Sequence, residues 1–173
     1  MITIVAATNR PDSMTELVAN ICLGIYNQKK VEAQILSLKQ LPRDFAFSEL
    51  YGQRSDDMGR LLETYVEKAE KFVFIIPEYN GSFPGVLKTF LDGSSPQFFR
   101  GKKAGMIGIS DGHSGNQRGL EHLAGILFYM KMFVHYAQPK ISAIDKLINA
   151  KGELDDARAN KLLNDHADFM ITF

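Results

Sequence analysis

The chain has 173 residues, of which 45% are hydrophobic and 23% are charged, and its 20 basic residues balance its 20 acidic ones. These values are typical of a folded protein of about one domain, so residues 1–173 are predicted to form a single domain. Nucleic-acid and anionic-membrane partners normally demand clustered excess lysine and arginine, so the balanced charge argues against both.

The cysteine content and the distribution of apolar residues limit the protein further. Cys22 is the only cysteine, which excludes an intrachain disulfide and a cysteine-based metal cage. The start of the chain, MITIVAATNR, lacks the basic residues and long apolar stretch of a signal peptide. No segment approaches the roughly 18 to 20 apolar residues of a membrane span. We therefore expect a cytoplasmic protein. We also expect no metal site, because no His/Asp/Glu cluster in the sequence has the required spacing.

Five short apolar runs alternate with segments of helical spacing. This order predicts an α/β fold, a three-layer αβα sandwich whose helices cover both faces of a five-stranded parallel sheet. The second run carries Glu32, Gln34 and Ser37 between its apolar residues and is expected to be an edge strand. The predicted strands are 2–7, 31–38, 72–77, 104–110 and 132–137.

Polar residues mark the expected helix starts. Asp12 or Ser13 caps the first helix, and Ser82 is predicted to cap the third, with Pro84 in its first turn. The other helices are predicted at 55–70, 116–130 and 153–170. The segment from Gln40 to Arg54 is the least regular, and its aromatic residues either pack the loop down or project toward a ligand or partner subunit. They are Phe45, Phe47 and Tyr51.

Function is expected in the loops that follow strands one, three and four. If the strand order is the doubly wound 2-1-3-4-5, exposed backbone N–H groups and helix N-termini meet there. After strand one, Arg10, Ser13 and Thr15 offer the donors of a phosphate cradle. Neither G-x-x-x-x-G-K-[ST] nor G-x-G-x-x-G is present, so a mononucleotide is a better ligand than a triphosphate or a dinucleotide bound across the sheet.

The other two loops carry turn and glycine signals. Asn80-Gly81 predicts a sharp turn that leaves Tyr79 either under a flat heterocycle or merely over the sheet end. In SDGHSGN, residues 110–116, Gly112 and Gly115 permit close approach of backbone to a ligand. The same loop nearly matches the G-x-S-x-G nucleophile elbow, with Ser114 as the serine. A hydrolase would then need an acid and a histidine from the end of the chain; the candidates are Asp145, Asp155, Asp156 and His166.

The run PEYNGSFPGVLKTFLD, residues 77–92, closely resembles a motif of the NAD(P)H-dependent FMN reductase family. The flanking loops TNRPDSMT and SDGHSGNQRGLEHL resemble the other two loops of that family. The resemblance implies a flavodoxin-like fold, FMN as cofactor and NAD(P)H as co-substrate. It also assigns cofactor-binding roles to Thr8, Arg10, Ser13, Met14, Thr15, Pro77, Glu78, Tyr79, Asn80, Gly81, Ser110, Gly112, Ser114 and Gly115.

The chemistry implied by the resemblance belongs to the flavin. Hydride would pass from the nicotinamide to FMN and electrons onward to a small acceptor such as free flavin, a quinone or an azo compound, with no catalytic side chain. Asp111 would either place a carboxylate near the flavin and lower its potential or point into solvent. No basic cluster can be assigned to the 2′-phosphate of NADPH, so the choice of NADPH rests on the resemblance. The alternative function is an FMN-binding electron carrier that does not use nicotinamide.

The resemblance also implies a homodimer or homotetramer built on the third and fourth helices. The segment LEHLAGILFYMKMFVHYA is apolar on more than one face, which is typical either of subunit contact or of a central buried helix. The candidate contact residues are Leu87, Phe90, Leu91, Leu127 and Phe128.

Overall fold

The computed structural model describes residues 1–51 and 54–173. Two positions of the irregular Gln40 to Arg54 segment, 52 and 53, therefore lie outside the described residues. In chain order the elements are β1 Ile2–Ala6, α1 Met14–Gln28, β2 Ala33–Ser37, α2 Phe45–Ser48, α3 Asp56–Leu62, β3 Lys71–Pro77, α4 Gly85–Gly93, β4 Lys103–Ile109, α5 Gln117–Tyr129, β5 Phe133–Val134, β6 Lys140–Ile141 and α6 Ala157–Thr172.

The strands form one parallel sheet in the order β2-β1-β3-β4-β5, with β6 also paired to β4. This confirms the predicted flavodoxin-like order. In the register, Ile2 lies opposite Ala33 on one side and Lys71 on the other. β2 is the edge strand that its polar residues predicted.

The predicted fifth strand, 132–137, is replaced by two short strands, which corrects the count of five. Both pair with β4: β5 opposite its start and β6 opposite its end. Between them the chain leaves the ladder, because the His135 ring accepts a hydrogen bond from the Ala137 N–H at 3.1 Å and Pro139 has no N–H to donate. The far edge of the sheet is therefore short and interrupted.

Two hydrophobic cores, one on each face, hold helices against the sheet. Alternation along β3 sends Phe72, Phe74 and Ile76 to the face covered by α3, α4 and α5. Val73 and Ile75 face the opposite core, built with α1 and α6. Full burial of each such side chain contributes about 1.5–3 kcal/mol. These two cores produce the predicted three layers.

The helix starts follow the polar caps, with one exception. Ser13 caps α1 and accepts the Glu16 N–H at 3.4 Å, as predicted. Ser82 does not cap α4, which begins at Gly85 after Pro84. The backbone of Ser82 instead pairs with Tyr79, and its hydroxyl bonds to His122 Nδ1 at 2.9 Å. The chain therefore makes a tight turn before it enters the helix.

Two other helices differ from their predicted bounds. The predicted 55–70 helix is α for its first half and continues as one π-helical turn, Glu63–Glu67. The Lys102 ammonium donates to two carbonyls at the end of that turn, at 2.6 and 2.9 Å. α6 begins at Ala157 and not near 153, because Asp156 supplies the cap and accepts the Ala159 N–H at 2.7 Å.

Most of the aromatic and aliphatic candidates for ligand or subunit contact belong to the core. Phe45 is buried, whereas Phe47 and Tyr51 are exposed. Of the five proposed subunit-contact residues, only Phe128 is exposed, at 61%; the other four, Leu87, Phe90, Leu91 and Leu127, are buried against the sheet, which corrects their assignment. Within residues 1–51 and 54–173, no helix is both long enough and apolar enough to cross a membrane.

A candidate cofactor-binding cleft at the carboxyl edge of the sheet

A cleft of about 400 Å³ opens where β1, β3 and β4 end. Its size falls within the range of small-molecule sites, about 300–1,000 Å³. Because helices start at this edge of a parallel sheet, the cleft receives side chains and N–H groups from all three following loops. Its lining residues are Arg10, Asp12, Ser13, Met14, Thr15, Pro77, Glu78, Tyr79, Ile109, Ser110, Asp111, Ile144 and Asp145.

The β1 loop supplies the donors of the cleft. The first turn of α1 has backbone N–H groups without intrahelical partners, and it lies against the cleft at Met14 and Thr15. Within the described part of the chain, the Arg10 guanidinium and the Thr15 hydroxyl have no hydrogen-bond partner. Unpartnered donors gathered at a helix N-terminus favour an anion.

The β3 loop closes through a two-residue turn. Tyr79 and Ser82 exchange backbone hydrogen bonds at 2.9 and 3.1 Å. Asn80 and Gly81 both have positive φ, 52° and 76°, as a type I′ turn requires. The turn predicted from Asn80-Gly81 is therefore confirmed. It directs the Tyr79 hydroxyl to Thr8 Oγ1, at 2.7 Å, which joins the β3 loop to the β1 loop.

The β4 loop is held by a serine and a glycine. The Ser110 hydroxyl donates to the Gly112 carbonyl and accepts the Gly115 N–H, both at 2.9 Å. Gly115 has φ 56°, and a Cβ there would lie 2.6 Å from Lys140 Cβ. The absence of a side chain at Gly115 thus allows this loop to pack on β6, while Gly112 lies in open space.

Asn116 is a structural residue of the site; the sequence predicted it as the start of the fourth helix and as the last position of a near-match to the nucleophile elbow. Its side chain is fully buried; it accepts the Gly119 N–H at 3.1 Å as the cap of α5. The amide nitrogen donates to the carbonyls of Ile76 and Pro77 at 3.1 and 2.9 Å. Asn116 therefore joins the β4 loop to the end of β3. An asparagine just before a helix, at the end of a glycine-containing loop, was the available signal.

Glu78 and Ser114 form a second connection between these loops. The Ser114 hydroxyl donates to Glu78 Oε2 and accepts the Asn116 N–H at 3.0 Å. Ser114 is thereby engaged with a carboxylate. His166, the only histidine in the proposed hydrolase constellation, is buried against Gly105 near the opposite end of β4. The hydrolase alternative is therefore wrong.

The predicted cofactor residues fall into two groups. Those that line the cleft are Arg10, Ser13, Met14, Thr15, Pro77, Glu78, Tyr79 and Ser110. Those that lie in the surrounding loops without lining it are Thr8, Asn80, Gly81, Gly112, Ser114 and Gly115. The cleft has five further lining residues. Asp111 was predicted to influence the flavin potential, whereas the other four were not predicted to take part in the site: Asp12, Ile109, Ile144 and Asp145. The last two come from a segment beyond β6 that no loop motif marks.

The charge of the cleft is uneven. Arg10 is the one cation among its lining residues, and four carboxylates, Asp12, Glu78, Asp111 and Asp145, also line it. A bound anion therefore has to lie near Arg10 and the start of α1, away from most of the acids. Within the described residues, no three His, Cys, Asp or Glu side chains are grouped to hold a metal ion.

Comparison with known protein families identifies the family of this chain. The model of the family described as NADPH-dependent FMN reductase matches residues 1–144. The chain belongs to this family. The match includes all three loops of the cleft.

Individual relatives of this chain are consistent with its membership of the FMN reductase family. An NAD(P)H-dependent FMN reductase of Pseudomonas aeruginosa is 33% identical over 102 residues, covering 57% of this chain and 55% of the relative. A 2-hydroxy-1,4-benzoquinone reductase of a Burkholderia species is 28% identical over 131 residues, covering 62% and 72%. The match thus spans only about half the length of the first relative.

A solved structure shows the same fold. The flavoenzyme FerB of Paracoccus denitrificans, an NAD(P)H:(acceptor) oxidoreductase, superposes with a TM-score of 0.82 at 22% identity, covering 99% of this chain and 94% of that one. This establishes that the flavodoxin-like architecture extends through the segment after residue 144, including Asp145 and α6.

The cleft is compatible with FMN. A phosphate needs several donors, and unpartnered donors of Arg10, Thr15 and the α1 N-terminus converge at one end. A flat ring needs a wall of apolar and polar loop residues, and Pro77, Tyr79 and Ile109 also line this cleft. The residues present therefore fit a flavin mononucleotide.

Proposed function

We propose that this protein is an FMN-dependent oxidoreductase that takes hydride from NAD(P)H and reduces a small second acceptor such as free flavin, a quinone or an azo compound. The observation that supports this most strongly is the family match across the three loops, combined with the unpartnered donors at the α1 end of the cleft. The named relatives, which include an FMN reductase and a benzoquinone reductase, support the acceptor class.

In this proposal the β1 loop holds the phosphate. Arg10 supplies charge, Ser13, Met14 and Thr15 supply hydroxyl and backbone donors, and Thr8 fixes the loop by accepting the Arg10 N–H at 3.1 Å. Residues 77–81 hold the ring edge, largely through backbone groups of the rigid turn. The β4 loop, through Ser110, Gly112, Ser114 and Gly115, forms the wall on the other side.

FMN, when bound, supplies the redox chemistry, accepting hydride from nicotinamide and donating electrons to the acceptor. The protein binds and orients FMN and shields it from solvent. No side chain has to transfer a proton, and the hydroxyl of Ser114 is already engaged with Glu78. The four carboxylates around the cleft disfavour added negative charge there, so Asp111 and Asp145 are proposed to lower the flavin potential.

The alternative, an electron carrier that binds FMN but does not react with nicotinamide, would use the same cleft. Freshly purified protein distinguishes the two by its colour, its extracted cofactor and anaerobic mixing with NADPH and NADH. Bleaching by either reductant supports the reductase. A yellow protein that is not bleached supports the carrier, and a colourless protein that does not take up added FMN contradicts both.

Replacing Arg10 with glutamine is expected to weaken FMN binding about 10- to 150-fold, because one charge-assisted hydrogen bond to phosphate is worth roughly 1.5–3 kcal/mol. Riboflavin has the same ring and no phosphate, so its affinity should change little. Titration with both ligands, followed by flavin fluorescence, measures the effect. Arg100→Gln, at an exposed arginine remote from the lining residues, is the matched control. Equal losses for FMN and riboflavin would contradict the phosphate role of Arg10.

We also propose that the protein assembles as a homodimer or homotetramer. Support comes from exposed aromatic residues at the end of α5 and around β5: Phe128 at 61%, Tyr129 at 83%, Phe133 at 60% and Tyr136 at 83%. Exposed aromatic side chains in such a group are typical of subunit contacts. Sedimentation of the wild-type protein and of Tyr129→Glu tests this, and a monomeric wild-type protein at micromolar concentration would exclude it.

A cytoplasmic location is proposed as well. It is supported by the single thiol, Cys22, which is buried and whose pKa is raised to about 12 by burial. A chain with a single cysteine cannot form an intrachain disulfide, which is usual for proteins of a reducing compartment. Cell fractionation with an antibody to the protein tests the location.

A further inference from the structure

The exposed part of the cofactor cleft carries negative charge. Of its four lining carboxylates, Asp12, Asp111 and Asp145 are exposed and Glu78 is half-buried. Arg10 is the one lining cation, and in the proposed function it binds the FMN phosphate. A phosphate monoester carries about −1.5 to −2 charges at pH 7, so bound FMN more than neutralises Arg10. The cleft that holds FMN is therefore more negative than the cleft without it.

Ion pairs do not neutralise the four carboxylates of the cleft. Within residues 1–51 and 54–173, none of the four pairs with a lysine, an arginine or a histidine. The ion pairs of this part of the chain involve other acids, such as Glu16 and Asp92. Glu78 accepts a hydrogen bond from Ser114, a neutral donor that leaves the carboxylate charge in place.

Backbone hydrogen bonds fix the position of Asp145. The segment after β6 is joined to the β4 loop, because the N–H groups of Ala143 and Ile144 donate to the carbonyls of Gly112 and Ser110 at 2.9 and 3.1 Å. Ile144 is 1% exposed and packs in the core that includes α1 and α6. Asp145 thus follows a residue that is anchored through both its backbone and its side chain. Its place at the cleft is set by the fold.

Ala143, two residues before Asp145, adopts a left-handed conformation, φ 50° and ψ 44°. This conformation is unfavourable for alanine, which has a Cβ and no polar side chain that bonds to the backbone. Residues in such conformations persist where the surrounding contacts hold them, and they cluster at ligand sites. The carbonyl of Ala143 also accepts the Lys146 N–H at 2.9 Å, which closes the turn around Asp145. An unfavourable backbone conformation is therefore maintained beside a carboxylate of the cleft.

An acceptor that reaches the flavin has to come close to these carboxylates. A cube with the cleft volume of about 400 Å³ has an edge of about 7 Å, which is shorter than the Debye length of about 8 Å at physiological salt. Salt therefore screens the charges only partly across the cleft. Like charges at such distances repel each other, which slows the approach of an anion, whereas an uncharged molecule is not affected.

We propose that Asp111 and Asp145 are specificity-determining residues, and that they make this protein reduce uncharged quinones in preference to acceptors that carry sulfonate or carboxylate groups. The inference rests on the proposed reductase function and adds the charge class of the acceptor. In the net reaction, NAD(P)H and one proton convert a quinone to a hydroquinone and leave NAD(P)⁺, so the quinone gains two electrons and two protons. NAD(P)H carries its negative charges on phosphates, away from the nicotinamide ring that donates hydride.

Reoxidation of the reduced, FMN-loaded protein tests the proposal without any contribution from NAD(P)H binding. The protein is photoreduced without oxygen and mixed with 1,4-naphthoquinone or with its anionic 2-sulfonate, and the flavin absorbance gives a second-order rate constant for each quinone. We expect the constant for the sulfonate to rise about threefold or more as the ionic strength increases from about 0.01 to 0.5 M, because salt screens the repulsion. The constant for the uncharged quinone should not depend on salt.

Variants identify the residues responsible for the selectivity. Asp111→Asn and Asp145→Asn are each expected to raise the ratio of the sulfonate constant to the neutral constant about threefold at low salt, and the double variant about tenfold. This ratio removes the effect of a changed flavin potential, because both quinones oxidise the same reduced flavin. Glu32→Gln, at an exposed carboxylate just before β2 and at the opposite edge of the sheet, is the matched control and should keep the wild-type ratio.

Quenching of the bound flavin fluorescence provides a second measurement without turnover. Iodide is an anionic quencher and acrylamide is an uncharged one, so the ratio of their Stern–Volmer constants reports the charge around the flavin. The iodide-to-acrylamide ratio should rise about threefold in the double variant and stay at the wild-type value in Glu32→Gln.

The results that overturn the inference differ from those that overturn the proposed function. Equal rate-constant ratios in the wild type and the double variant would show that the two aspartates do not select the acceptor. A sulfonate constant that falls with salt would show attraction, as expected if Arg118, whose Nη1 lies 3.5 Å from where a Cβ of Gly81 would be, controlled the approach. Failure of the wild-type protein to bind FMN, to be bleached by NAD(P)H or to reduce the uncharged quinone would overturn the proposed function instead.

Discussion

Replacing Asn116 with alanine is expected to lower the free energy of unfolding by about 3–6 kcal/mol and to weaken FMN binding. Alanine removes the α5 cap, which is worth about 1 kcal/mol. It leaves the buried carbonyls of Ile76 and Pro77 without their donor, at about 1–3 kcal/mol. Alanine also lacks the short polar side chain that lets asparagine tolerate the left-handed conformation, φ 60°, and this costs about 1–2 kcal/mol.

Chemical denaturation measures this loss, and FMN titration of the folded fraction measures its effect on the cleft. Asn116→Gly tolerates the left-handed conformation and keeps part of the capping, so it should lose less than Asn116→Ala. Asn27→Ala, at an exposed asparagine of α1, is the control and should change stability by less than about 0.5 kcal/mol. If Asn116→Ala unfolded at the wild-type midpoint, the assigned hydrogen bonds would have no energetic role.

Acid is expected to destabilise the protein through His166. This side chain is 1% exposed, its Nε2 has no partner among the described residues, and it packs on Gly105. Burial, together with the charge of His135, lowers the pKa of His166 from 6.5 to about 4. The unfolded chain therefore binds a proton between these values before the folded chain does. The contribution of His166 to the free energy of unfolding is fully present above pH 6.5. It decreases as the pH drops from 6.5 to 4 and does not change further below pH 4.

The size of the effect follows from the shift. The difference between 6.5 and about 4 corresponds to about 3 kcal/mol in total, of which about 2 kcal/mol is lost by pH 5. Urea unfolding of the wild type and His166→Leu at pH 7 and pH 5 measures it, because leucine cannot titrate. The wild type should lose about 2 kcal/mol more than the variant, whereas the exposed His113→Gln should behave like the wild type. Parallel losses in all three proteins would refute the role of His166.

Local sequence signals predicted the features that depend on neighbouring residues. Ser13 caps α1 because its hydroxyl reaches an N–H three residues away, and Asn80-Gly81 turns because both residues adopt positive φ. The strand pattern predicted the three layers because alternating faces of β3 enter two separate cores. The strand order rested on the family resemblance as well as on this pattern.

The features that escaped prediction depend on partners distant in the sequence. Ser82 could not be distinguished from a helix cap because its hydroxyl partner, His122, is 40 residues away. The sequence predicts one fifth strand because residues 132–137 form a single apolar run. In the structure, β4 pairs instead with two separate short strands. A cleft of about 550 Å³ combines Asn9, Arg43 and Val86 from three parts of the chain, so no single segment of the sequence could predict it.

The short outer edge of the sheet limits how copies of this protein can join. β5 has two residues, and the chain leaves the ladder before β6, so few free N–H and C=O groups are aligned for another chain. Adding a strand from a neighbouring molecule, which leads to open-ended filaments, is therefore disfavoured on this side. The proposed association through Phe128, Tyr129, Phe133 and Tyr136 would rely on side-chain packing, which is compatible with a closed assembly of defined size.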